Sequence, residues 1–187
     1  YIEKGYLDVD DDVCLRTVSE CCNCFVAGYK GFQGSGAKHK FEEDTDIKRL
    51  KFYPNGEWDN RLTSDGNRFM EFHINSAEND KYAWSRLTEL NQKIALFSHE
   101  KVSSAKYEAI FKGLYRVNKE ESIKNKKVTY DRISKIMPTY YPKNAIAPKV
   151  IAEAYDKEEY KVAHFYDVKV LDAFKQKYAE DYEYIYH

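Results

Sequence analysis

Ile110-Phe111-Lys112-Gly113-Leu114-Tyr115-Arg116-Val117, answered beyond a lysine-rich turn by Tyr130-Asp131-Arg132-Ile133-Ser134, carries the strongest strand signal in the chain. Aromatic and β-branched residues fill both runs, which predicts strands over 107–117 and 127–133. Gly113 brings no side chain to packing, so inside a strand it signals a bulge or a close backbone approach. Upstream, 93–99 reads as a further strand. Short strands over 50–53 and 58–63 are ended by Pro54-Asn55-Gly56 and Ser64-Asp65-Gly66-Asn67, turn sequences of the hairpin kind. Residues 68–74 alternate, with Phe69, Glu71 and His73 on one face and Met70, Phe72 and Ile74 on the other, so one face is buried. Such closely spaced strands predict a meander or a small open barrel.

Helical signals lie outside that block. Ser19 is placed to cap a helix over 21–27, and Asp80 to begin one that carries Tyr82, Ala83, Leu87 and Leu90 at helical spacing. A proline-containing linker runs from Met137-Pro138 to Pro148, followed by helical periodicity over 150–165 and 168–184. The fold class expected is therefore α+β: a small curved β-sheet or open barrel flanked by helices, with a C-terminal helical pair. Residues 1–137 form the barrel domain, and 138–187 the linker and helical extension packed on it.

The chain has 187 residues, enough for one domain with a sizeable core. Aromatic residues make up 16%, mostly the 17 Tyr, which suit half-buried sheet faces and wet binding surfaces alike. The net charge of -1 excludes a uniformly basic nucleic-acid binder. Its distribution is uneven, however: residues 101–135 carry ten bases against four acids, and 1–20 six acids against two bases. A basic middle between acidic ends fits one face turned to a polyanion. Residues 8–12 read as an acidic, mobile lead-in that lacks the other ligands of a calcium loop.

Cys14, Cys21, Cys22 and Cys24 are too bunched for a disulfide framework, which points to reduced thiols in a cytoplasmic chain. The one metal arrangement on offer is Cys21, Cys24 and His39. C-C-x-C lacks paired C-x-x-C spacing, so small buried cysteines and no metal or cofactor are expected. No run approaches the roughly 18 apolar residues of a membrane span, and none has the form of a signal-peptide core. Tyr1 stands first in place of Met, so we expect a segment excised from a longer polypeptide. The histidines are scattered, the carboxylates stand in no diagnostic motif, and the glycine-rich 28–36 lacks the Lys-Ser/Thr of a phosphate loop. No catalytic residue is assigned.

Three blocks together resemble the PUA-like folds of bacterial restriction and helicase-associated proteins, the group that includes SRA, EVE and YTH domains. They are Gly28-Tyr29-Lys30-Gly31-Phe32-Gln33; Asn55-Gly56-Glu57-Trp58-Asp59-Asn60-Arg61 with Ser64-Asp65-Gly66; and the opening stretch, F-x-G-x-Y-x-V … Y-x-R-I-S. The resemblance covers residues 20–135; the acidic lead-in, the Cys-rich segment and the C-terminal helices have no counterpart in it. It implies a curved barrel that holds an extruded, modified base in an aromatic-lined pocket. The corresponding function is a DNA-reading specificity domain, for a mark such as 5-methylcytosine, in a modification-dependent restriction system of bacterial defence. Its partners are double-stranded DNA and other domains of the same polypeptide, among them the nuclease.

An aromatic platform returns part of the few kcal/mol lost when a base is flipped. Trp58, beside a turn, offers such a ring, and Asp59 and Asn60 offer polar groups for a base edge. Tyr29, Phe32 and Tyr115 are further wall candidates. Lys112, Arg116, Lys126, Lys127 and Arg132 are candidates to track phosphates. A hairpin tryptophan equally suits packing, and Tyr115 and Phe111, being inside a strand, suit the core. Two other readings stand open: a PUA-like ribonuclease-type enzyme using Lys112, Tyr115 or His99, and a protein-interaction domain with a tyrosine-rich surface.

Overall fold

The structure, a computed structural model, describes residues 5–25, 34, 36–39, 42, 44–88 and 92–139. In chain order the elements are β1 (Tyr6–Asp8), a 3-10 turn (Val9–Asp11), β2 (Cys14–Leu15), α1 (Val18–Asn23), β3 (Gly36–Lys38), β4 (Thr45–Leu50), β5 (Arg61–Leu62), β6 (Arg68–Glu71), α2 (Ser76–Thr88), β7 (Lys93–Ser103), β8 (Lys106–Val117), α3 (Lys119–Asn125), β9 (Val128–Ser134) and β10 (Ile136–Pro138).

One curved sheet runs in the order β3-β4-β7-β8-β9-β6-β5, with β2 added along β8. Among the described residues its end strands, β3 and β5, do not pair, so it is an open barrel. Neighbours are antiparallel except β4 and β7, which run parallel and are joined by the long crossover that contains β5, β6 and α2. The β7–β8 hairpin is the spine. Alternation on β7 sends Ala95 and Phe97 to one core and Ile94 and Leu96 to the other.

On β8 the alternation is broken by design. Leu96 faces Gly113 and Phe97 faces Phe111, so Lys112 is an extra residue. Gly113 takes φ +116°, and a Cβ there would lie 2.6 Å from the Ser134 carbonyl oxygen, so only glycine fits. Ahead of the bulge Ala109 and Phe111 join the first core; beyond it Tyr115 and Val117, of the same parity, join the second.

The first core gathers Leu7, Val13, Val18, Cys21, Cys22, Phe25, Ile47, Phe97, Phe111 and Met137 beneath α1 and the small β1–β10 sheet. The second packs Leu50, Phe69, Ile94, Leu96, Tyr115, Val117, Val128 and Tyr130 against Tyr82, Ala83 and Leu87 of α2. Phe69 stacks on Tyr130 with centroids 4.3 Å apart and meets Tyr115 edge-on at 4.9 Å. At about 25 cal/mol per Å² of apolar surface removed from water, these two clusters dominate the stability of the fold.

Several sequence expectations are corrected. Thr17, not Ser19, caps α1: its hydroxyl accepts from the Glu20 amide at 3.1 Å while Glu20 reaches back to the Thr17 amide at 3.3 Å, a reciprocal box. Residues 8–12 are not a mobile lead-in; Asp8 lies in β1, Val9 N–H bonds to Lys135, and Asp10 pairs with Lys135 at 3.1 Å. Met137 and Pro138 do not begin a linker but form β10 against Tyr6 and Leu7. The strand expected over 50–53 ends at Leu50, and of 58–63 only Arg61–Leu62 is strand, with Trp58 making an isolated bridge to His73. The helices expected over 150–165 and 168–184 lie outside the described residues.

Candidate nucleic-acid interface

Curling of the sheet brings β4 and β6, separated by three strands in the order, close enough for Lys48 Nζ to lie 3.4 Å from Glu71 Oε1. A cavity of 530 Å³ opens at that seam. It is lined by Lys48 to Lys51, Asn55, Trp58 and Asn60 from the β4–β5 connection, Glu71 of β6 and Tyr82 of α2, together with Gly34.

Trp58 is held by three contacts. Its amide donates to Asn55 Oδ1 at 3.2 Å, and its ring meets His73 at 5.2 Å and Tyr82 at 5.0 Å, both edge-on. The ring is half-buried rather than sealed in. Asn60 is 4% exposed; its Nδ2 donates to the Lys51 carbonyl at 3.2 Å, while its Oδ1 has no hydrogen-bond partner. A buried acceptor left unpaired costs about 1–3 kcal/mol. Asp59 instead turns its Oδ2 to Arg61 at 2.7 Å, and that hydrogen bond holds its carboxyl below the usual range.

The floor is a buried polar network. Tyr82 donates to Glu71 Oε2 at 2.5 Å, and Lys48 donates to Tyr82 at 3.2 Å. Behind them Arg86, 1% exposed, donates to the Tyr130 hydroxyl at 2.8 Å and pairs with Asp46 at 2.9 Å. Burial alone would raise the Glu71 pKa, but Lys48, Tyr82 and Arg86 outweigh it and hold the carboxyl below its ordinary value. Burial and the Glu71 charge push the Tyr82 and Tyr130 hydroxyls well up, so both remain protonated donors. Two cations face two carboxylates, which leaves a floor that is polar yet without surplus charge. Two of the three ammonium protons of Lys48 are engaged here, so one remains for a ligand.

Of the sequence candidates, Trp58 and Asn60 meet at this cavity. Tyr115 does not: it is wholly buried in the second core, to which the bulge assigns its side chain, with its hydroxyl donating to the Gly66 and Lys112 carbonyls. Tyr29 and Phe32 lie outside the described residues. Lys126 and Lys127 sit beside the Trp58 hairpin. Asn79 bridges the His73 amide and the Lys126 carbonyl, and Lys127 Nζ stands 4.2 Å over Phe72, where its charge helps lower Asp59. Lys112 is drawn to Glu100 at 2.8 Å, and Arg132 braces the hairpin turn through Asp65 and Asn67 at 3.2 and 2.6 Å. Arg116 is exposed on β8.

Among the described residues no cluster of three or more His, Cys, Asp or Glu could hold a metal. Burial pushes the Cys22 thiol up to about 11 and Cys24 to about 12, and pushes His39, packed on Phe25, down to about 3. The cysteines pack in the first core, and His39 Nδ1 accepts from the Glu42 amide at 2.9 Å. Sequence reading missed Lys48, Tyr82, Arg86 and Tyr130 as site residues; Glu71, on the same strand face as Phe69, carried the one available signal.

The model of the SRA family, the SET and RING associated domain, matches residues 1–139. Among solved structures the chain is similar to "The 5-Hydroxymethylcytosine-Specific Restriction Enzyme AbaSI", with a TM-score of 0.68 and 28% identity over 76% of this chain. The match covers 45% of that enzyme, so this chain spans less than half its length. No curated protein matches. Among the described residues no helix is long and apolar enough to cross a membrane.

Proposed function

The chain belongs to the SET and RING associated domain family, and from that premise we propose that it is a DNA-reading module which takes a modified cytosine out of the duplex into the Trp58 cavity. The observation that carries this reading is a single one: a half-buried tryptophan and Asn60, whose buried Oδ1 has no hydrogen-bond partner, line the same 530 Å³ space above a floor of no net charge. That volume falls within the roughly 300–1,000 Å³ of ligand cavities and leaves room for a substituent on the ring.

The donors and acceptors are complementary to cytosine. The exocyclic amino group is a donor and suits Asn60 Oδ1; the remaining Lys48 proton suits the acceptors on the same edge. Stacking on Trp58 contributes on the order of 1–3 kcal/mol, comparable with the cost of unstacking. A neutral base gains nothing from a charged floor, so internal pairing of Lys48 with Glu71 and of Arg86 with Asp46 keeps the site selective for hydrogen-bonding shape. Lys126 and Lys127, on the same side as the Trp58 hairpin, hold the flanking phosphates. In this reading the module directs a restriction nuclease carried elsewhere in the polypeptide, in keeping with the specificity printed in the AbaSI name.

The test is a mobility-shift series with duplexes that carry one cytosine, 5-methylcytosine or 5-hydroxymethylcytosine. The wild-type chain prefers a modified duplex, and Trp58→Ala loses the preference while Trp58→Phe keeps part of it. Undiminished preference in Trp58→Ala with a normal melting curve would remove the cavity from the account.

A further inference from the structure

The β7–β8 hairpin reaches past the sheet, and its outer part carries rings that neither core uses. His99 and Tyr107 lie diagonally across it, since His99 faces Ala109 and Tyr107 faces Lys101. Their rings stack at 4.9 Å and 17°. Tyr53, from the segment after β4, places its hydroxyl 2.8 Å from His99 Nδ1 and its ring 6.2 Å from the imidazole. Tyr107 is 46% exposed and Tyr53 38%, so two large rings are fixed in orientation yet uncovered. A hollow of 420 Å³ lies against them, lined also by Phe52, Leu62, Lys101 and Glu100, whose charge Lys112 meets at 2.8 Å.

The surroundings specify an occupant. Lys51 Nζ stands 6.0 Å over the Tyr53 ring, and burial together with Arg49 and Lys51 lowers the His99 pKa, so the imidazole is neutral and stacks without charge near pH 7. Flat uncovered rings rimmed by cations suit a base on a phosphate backbone. The hollow follows the first cavity along the chain: Lys51 lines that one, and Phe52 and Tyr53 line this one. Two residues of chain span at most about 7 Å, against about 3.4 Å per nucleotide of a stacked strand. A base one or two positions from the extruded nucleotide therefore falls at the shelf.

We propose that Tyr53, His99 and Tyr107 form a second nucleobase-stacking site, which takes a neighbour of the base held in the Trp58 cavity. This rests on the cavity reading above. The shelf stabilises the strand on one side of the gap, where the extrusion of one base has cost its neighbour a stacking partner.

The test uses the full chain with Trp84→Phe, a ring 66% exposed on α2, so that Trp58 is the sole tryptophan and its emission reports the cavity. The ligands are a duplex with one 5-hydroxymethylcytosine and the free 5-hydroxymethylcytosine nucleoside in excess. Tyr107→Leu lowers duplex affinity about five-fold or more, the weight of one base–aromatic stack, and leaves the Trp58 response to the nucleoside unchanged; Tyr107→Phe restores duplex affinity. If Trp58 responds normally but Tyr107→Leu binds the duplex as tightly as wild type, or Tyr107→Phe falls as far as Tyr107→Leu, the shelf is overturned and the cavity stands. If neither ligand alters Trp58 emission in the parent chain, the cavity reading fails and the shelf with it.

Discussion

Replacing Glu71 with glutamine tests the floor of the cavity without emptying it. The amide keeps the volume but removes the charge that faces Lys48 at 3.4 Å and receives the Tyr82 hydroxyl at 2.5 Å. Breaking a fully buried pair costs about 3–5 kcal/mol. The Lys48 side chain is 18% exposed and keeps its bond to Tyr82, and Arg86 keeps Asp46, so the expected loss is smaller, about 2–3 kcal/mol. For a chain of this length that lowers the melting temperature by about 5–10 °C. Lys48→Met with Glu71→Gln removes both charges and recovers part of the loss, which a double-mutant cycle reads as a coupling of about 1–3 kcal/mol. The sign with pH follows from the lowered Glu71 pKa. The ionised form is favoured by folding, so its stabilisation is complete above the ordinary Glu pKa and is lost as pH falls below it; Glu71→Gln flattens that acid limb. A melting temperature within about 1 °C of wild type at pH 7, with an unchanged acid limb, would refute the network.

Three further outcomes follow from particular contacts. Gly113→Ala drives a Cβ to 2.6 Å from the Ser134 oxygen at φ +116°, so it destabilises by about 2 kcal/mol or more in urea unfolding, whereas an ordinary exposed strand glycine would not. Lys126→Glu with Lys127→Glu weakens binding to modified and plain duplexes alike and reduces the slope of log affinity against log salt by about 2, as read in shift assays at several salt concentrations. His39 is buried with its pKa near 3, so protonation favours the unfolded chain: stability falls as pH drops below about 6.5, at up to about 1.4 kcal/mol per pH unit. His39→Gln makes the melting temperature less steep between about pH 5 and 6.5.

The residues that could be found from sequence are those whose local pattern carries the signal. The strands on either side of Gly113, the Asp65-Gly66 hairpin and Trp58 beside its turn all follow from periodicity and turn chemistry, and each stands near where the pattern puts it. The bulge itself was legible, but its consequence was not: an inserted Lys112 reverses the faces, so Tyr115 joins the second core while Phe111, of the same parity, joins the first. Thr17, and not Ser19, caps α1 because Glu20, three residues on, completes the reciprocal box with it. The Lys48–Glu71 and Arg86–Asp46 pairs join residues 23 and 40 apart in the chain, and the parallel β4–β7 pairing that aligns them is a long-range crossover with no local signature. Lys112 and Arg132 are phosphate candidates by charge alone; sequence does not show that their partners within the chain are Glu100, the Asp65 carbonyl and Asn67.

A structure of this chain bound to a duplex with a single 5-hydroxymethylcytosine addresses the base-reading proposal most directly. The account predicts that the modified base lies outside the helical stack, against the Trp58 ring, with its amino nitrogen within about 3.2 Å of Asn60 Oδ1. A bound complex in which that base remains paired within the duplex and the Trp58 cavity holds no base would contradict it.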